Sequence, residues 1–90
     1  MKRNAEFLLR EVADTLVVVP VGDAVTDFPG MITLNATGAY IWELLETEQT
    51  VQTLVAALVA RYEVAEETAL QDVEAFVGRL LSVGAITEKE

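Results

Sequence analysis

The chain has no cysteine and no histidine. Without cysteine there is no disulfide, no thiolate nucleophile and no thiolate-held metal cluster. Without histidine there is no imidazole base, and most zinc, iron and copper sites lose their commonest ligand. Basic residues are also scarce: six Lys and Arg face fifteen Asp and Glu, a formal net charge of −9. Lys2, Arg3, Arg10, Arg61, Arg79 and Lys89 are scattered along the sequence. Such a chain repels phosphate backbones and anionic lipid surfaces, which argues against nucleic-acid and membrane partners. The uncharged stretches Thr15 to Gly22 and Pro29 to Trp42 carry Pro, Gly, Asn or Thr and are too short to span a bilayer. The opening Met-Lys-Arg-Asn-Ala-Glu has no apolar run of the kind that directs secretion. The expectation is a soluble, cytoplasmic protein.

Apolar residues, by contrast, are plentiful at 52% of the chain, with a mean hydropathy of +0.36. A chain of 90 residues makes one domain, with an ordered core expected over residues 7–86. At this size only about 60–68% of the chain surface is buried on folding. Some apolar surface is therefore expected to stay available to a partner or to a second copy, which leaves room for a homodimer.

The N-terminal third reads as sheet. Phe7 to Val12 and Leu16 to Val21 are rich in β-branched and apolar residues, and Ala13-Asp14-Thr15 between them suits a hairpin turn. Pro20 has no N–H and belongs at an edge or near a strand end. Gly22 to Gly30 reads as a loop, and Met31 to Leu34 as a third, short strand. The period then changes from 2 to 3.6 within a few residues.

The first helix runs from Ala36 or Thr37 to Glu46, capped by Asn35 or Thr37. Ile41, Leu44 and Leu45 share a face flanked by Trp42. Gly38 in its first turn weakens the helix by about 1 kcal/mol relative to Ala, which a close approach of another group would explain. Thr50 caps a second helix with Val51, Leu54, Val55, Leu58 and Tyr62 on one stripe. The third starts between Ala65 and Thr68, with Glu66 and Glu67 at the positive end of its dipole. Its stripe is Leu70, Val73, Phe76, Val77, Leu80 and Leu81, and Gly84 stops it. Ala85-Ile86 folds back onto the core, while Lys89 and Glu90 fray. The fold class is α+β: a small three-stranded antiparallel sheet followed by a three-helix unit of winged helix-turn-helix type.

Catalytic equipment is thin. Glu43/Glu46, Glu63/Glu66/Glu67 and Asp72/Glu74 fall on polar helix faces or ends, where carboxylates are solvated rather than forced into acid/base or calcium roles. Thr37 and Ser82 lack an imidazole partner, and Gly22, Gly30, Gly38, Gly78 and Gly84 form no phosphate-cradling pattern. Tyr40 and Trp42, at helical spacing beside Ile41 and Leu44, read as core before they read as a ligand pocket. The third helix offers Gln71 and Arg79 among Glu66, Glu67, Asp72 and Glu74, the wrong charge for a DNA groove. No catalytic, cofactor-binding or metal residue is assigned. What remains is the uncharged strand Met31 to Leu34, ordinarily a strand that closes the sheet, functionally an edge open to an extended peptide.

On these residues the chain resembles the PqqD family of peptide chaperones. The resemblance lies in Gly30-Met31-Ile32-Thr33-Leu34-Asn35, Thr37-Gly38-Ala39 and Ile41-Trp42-Glu43-Leu44-Leu45. It continues through Thr50-Val51, Leu54-Val55, Leu58, Tyr62, Asp72-Val73, Phe76, Leu80 and Gly84-Ala85-Ile86. It implies a non-enzymatic RiPP recognition element that binds the leader of a ribosomally made precursor peptide. The leader would add as a strand along Met31, Ile32, Thr33 and Leu34, against Asp72, Val73, Phe76, Arg79 and Leu80 of the third helix. The resemblance also implies presentation to a modifying enzyme, a radical-SAM protein, with no cofactor on this chain. Glu46-Thr47-Glu48-Gln49 stands where quinone-pathway members carry Asp-Gly, which points to a relative serving another modified peptide. Leader-binding proteins of lasso-peptide pathways share a similar Asn-x-Thr-Gly-Ala stretch. The other class of reading is an adaptor that dimerises or docks on one enzyme without binding a free peptide.

Overall fold

The computed structural model describes residues 1–22 and 30–87. The loop read between Gly22 and Gly30, and the terminal Lys89 and Glu90, lie outside the described residues. The elements in chain order are β1 (Lys2–Arg3), β2 (Phe7–Val12), β3 (Thr15–Pro20), β4 (Ile32–Leu34), α1 (Ala36–Leu44), α2 (Val51–Tyr62), α3 (Glu66–Val83) and β5 (Ile86–Thr87). The expected α+β class holds, with β2, β3 and β4 forming an antiparallel sheet in that order and three helices beside it.

β2 and β3 close through Ala13 and Asp14, which take φ of 50° and 66°. Positive φ at both central residues is what a two-residue type I′ hairpin needs, because its twist matches that of the strands. Pro20 ends β3 opposite Phe7, where no ladder bond is asked of its nitrogen. β4 is one residue shorter than the sequence suggests, since Met31 lies outside the strand and is exposed.

Alternation along the strands puts Phe7, Leu9, Leu16, Val18, Ile32 and Leu34 on the face that meets the helices. There they pack with Ile41, Trp42, Leu45, Leu54, Leu58, Val73 and Leu80. Trp42 is in the core, with the Arg3 guanidinium 5.8 Å from its ring and Arg3 Nη1 donating to its carbonyl at 3.3 Å.

The helix stops are those the residue types dictate. Asn35 Oδ1 accepts from the Gly38 N–H at 2.8 Å, so Asn35 rather than Thr37 is the cap of α1. The helix ends at Leu44, short of the expected Glu46. Thr50 and Thr53 exchange bonds as a capping box on α2, with Thr53 in the place usually held by Glu or Gln. Gly84 takes φ of 81° and ends α3 in a left-handed cap.

The buried face of α3 needs correcting. Along α3 the buried stripe is Ala69, Val73, Val77 and Leu80, while Leu70 and Leu81 are exposed. The true stripe is thus turned toward a small residue that a search for large apolar side chains passes over. Ile86 does return to the core, as expected, but as a strand: β5 pairs with β1, with Arg3 opposite Ile86.

Candidate functional site

β4 is the end strand of its sheet, and which of its backbone groups face outward follows from the register. Val21 N–H donates to Glu6 O at 2.7 Å, which makes that opposed pair a bonded one. Bonded and non-bonded pairs alternate in an antiparallel ladder, so Leu8, Arg10 and Val12 bond with Val19, Val17 and Thr15. Val17 therefore turns its N–H and C=O toward β2. Its neighbours Leu16 and Val18 turn theirs toward Leu34 and Ile32. Thr33, between those two, presents its N–H and C=O to the open edge, where no strand pairs with it among the described residues.

That edge faces α3 across a groove. One part is lined by Thr33, Leu34, Asn35, Phe76 and Arg79. It continues into a cleft of about 260 Å³ between the start of α1 and α3, lined by Asn35, Thr37, Gly38 and Ile41 on one side and Asp72, Ala75, Phe76 and Arg79 on the other. Asp72, Phe76 and Arg79 are four and three residues apart, so helix geometry stacks them on one face.

Gly38 is what lets the groove have this shape. A Cβ there would stand 3.2 Å from Asn35 Oδ1 and 3.3 Å from the Phe76 ring. The Asn-x-Thr-Gly stretch thus joins two tasks: Asn35 caps the helix, and the bare Gly38 backbone seats Phe76.

The residues expected at the site divide by depth. Thr33, Met31, Asp72 and Arg79 are exposed and Phe76 is half-buried. Ile32 and Leu34 are buried beneath the edge, and Val73 and Leu80 have no exposed surface at all. These four hold the strand and helix at their spacing from below. Asn35, Thr37, Gly38, Ile41 and Ala75 line the groove without having been named for it. For all but Ala75, which lies within α3, the signal was present in the stretch that opens α1, which read as capping and support.

Tyr40 lies elsewhere. Its ring meets Tyr62 edge-on at 6.0 Å and lies under the Arg61 guanidinium at 4.6 Å, tying α1 to α2. Among the described residues there is no group of acidic side chains fit to hold a metal, and no helix is long and apolar enough to cross a membrane. Leu8 and Val12 are exposed on the sheet face away from the helices, Met31 just before β4, and Leu70 and Leu81 on α3.

A wider cleft flanks the other edge of the sheet, at β2. It is lined by Lys2, Arg3, Asn4, Ala5, Phe7, Leu8, Leu9, Arg10, Trp42 and Glu46. By the alternation that turns Thr33 outward, Leu9 and Glu11 present their backbone groups to that edge.

Comparison with known proteins identifies a family and a shared fold. The sequence model of the family described as Coenzyme PQQ synthesis protein D (PqqD) matches residues 15–86. A solved structure of TbiB1 in complex with the TbiA(beta) leader peptide superposes with a TM-score of 0.76 at 23% identity, over 100% of this chain and 99% of that one. At that identity the likeness shows the fold. No curated protein matches the chain.

Proposed function

Because the chain belongs to the PqqD family, we propose that it is a RiPP recognition element. It captures the leader of a ribosomally made precursor peptide as a fourth strand beside β4 and presents it to a modifying enzyme. The observation that carries this is the outward-turned Thr33 backbone facing Phe76 across an open groove. An extended chain laid there gains main-chain bonds from Thr33, and its alternate side chains enter the cleft against α3. The fold it shares with TbiB1, a protein solved with a leader peptide on it, supports the reading.

In this reading Thr33 supplies main-chain bonds, Phe76 an apolar wall, and Asp72 and Arg79 the polar rims. Ile32, Leu34, Val73 and Leu80 hold the frame, and Met31 lies where the peptide leaves the edge. The domain itself performs no chemistry: it contributes affinity and position, in the cytoplasm. The partner, a radical-SAM protein, contributes the reaction.

Titrating isotope-labelled protein with the leader of the precursor encoded beside its gene tests the proposal. Amide shifts are expected at Thr33 and from Asp72 to Arg79. Shifts confined to α2 or to the β2 edge contradict it. The exposed Leu8 and Val12 favour a second reading, in which the outer sheet face docks on an enzyme or a second copy. Sedimentation with and without the leader separates the two, because an adaptor associates while ignoring the peptide.

A further inference from the structure

Resting on that reading, the geometry points to a charge polarity in the peptide: a basic residue, then an apolar one, then an acidic one, at alternate positions and in that N-to-C order. Asp72 and Arg79 are the only charged residues lining the two parts of the groove among the described residues. Neither side chain has an ion-pair or hydrogen-bond partner among the described residues, so both are available to an incoming chain.

They sit on either side of Phe76, and the two linings fix their order along the groove. The part beside Thr33 and Leu34 meets Phe76 and Arg79, whereas Asp72 joins only beyond, with Thr37 and Gly38. Going from Thr33 toward Gly38, α3 is therefore read backwards, from Arg79 to Asp72.

Every strand pair in this sheet is antiparallel, and antiparallel pairing is the more stable per residue. A peptide that continues the pattern enters over the Gly38 end and leaves past Thr33, so its earlier residues pass Asp72 and its later ones pass Arg79. Residues facing α3 recur every second position, as Ile32 and Leu34 do on β4. Asp72 and Arg79 stand about 10.5 Å apart along the helix axis. Positions two before and two after a central residue stand about 13 Å apart along a strand. Long Lys, Arg and Glu side chains span that difference while the central apolar side chain rests on Phe76.

Two short synthetic peptides of identical composition test this. One carries lysine two residues before a central leucine and glutamate two after; the other exchanges lysine and glutamate. Both are titrated by NMR into the intact protein and into the double variant Asp72→Lys with Arg79→Glu. The lysine-first peptide is expected to bind the native chain roughly three- to thirtyfold more tightly, the span of two partly exposed ion pairs, and the double variant to reverse the preference. Equal affinities with shifts at Thr33 would overturn the polarity and leave strand addition standing. A native preference for the glutamate-first peptide would overturn the inferred direction. Absence of any Thr33 shift with either peptide would bring down the strand-addition reading and this inference together.

Discussion

The sheet has two edges, and both leave backbone groups without a strand partner among the described residues, yet they are built differently. At β2 the outward groups belong to Leu9 and Glu11, the strand carries Arg10 and Glu11, and the adjoining cleft holds Lys2, Arg3 and Glu46. At β4 the strand is three residues long, carries no charge, and faces a helix that offers Phe76 between Asp72 and Arg79. Charge on an edge discourages a foreign strand. An uncharged edge beside a shaped wall recruits one, because main-chain bonds alone give affinity without choice. Openness is common to both edges; what sets β4 apart is an uncharged strand facing Phe76 between Asp72 and Arg79.

The sharpest way to break that contrast is to block each edge in turn. Thr33→Pro removes the outward N–H and puts a ring where the partner strand would lie, without cutting a β3–β4 bond. Leader affinity should fall by at least about tenfold, measured by calorimetry, with the fold intact by circular dichroism. Leu9→Pro does the same to β2 and should leave affinity within about twofold, a change of some 0.4 kcal/mol. Comparable losses from both variants would erase the distinction.

That experiment also marks where sequence reading stops. Period and composition pick out Met31 to Leu34 as the edge, and from them Ile32→Pro looks like the natural block. Register shows instead that the Ile32 N–H belongs to the β3 ladder, so that variant breaks the sheet as well as the site. Which residue faces outward depends on the pairing of distant strands, and no local pattern encodes it. The caps were legible because Asn35, Thr50 and Gly84 act through their own neighbours. The β1–β5 pair was not, since two residues carry no period. The family itself was legible, because Asn35, Thr37, Gly38 and Ala39 form a dense local pattern, and the match over residues 15–86 bears it out.

Next in size is the wall. Phe76→Ala strips the ring from Gly38 and should weaken leader binding while lowering stability by about 1–3 kcal/mol, less than for a fully buried ring. Leu70→Ala, on the exposed side of the same helix, should change stability by about 0.5 kcal/mol or less in denaturant melts. A groove that binds equally well without Phe76 would remove the reason for preferring β4.

Two glycines sharpen the point further. Gly78 has nothing within 4 Å of a would-be Cβ, so Gly78→Ala should raise stability by about 0.5–1 kcal/mol. At Gly38 the added methyl meets Asn35 and Phe76 at once, so the same change should cancel that gain and reduce leader affinity.

The smallest effect concerns the hairpin. Ala13→Gly relieves a left-handed alanine and should stabilise by about 0.5–1 kcal/mol, or a rise of about 2–8 °C in Tm.

The central claim is that β4, and not β2, receives the peptide. Amide hydrogen exchange tests it most directly, because the Thr33 and Leu9 amides both face outward in the free protein. Saturating leader should slow exchange at Thr33 strongly and leave Leu9 unchanged. Protection of Leu9 with Thr33 still exchanging freely would contradict the account.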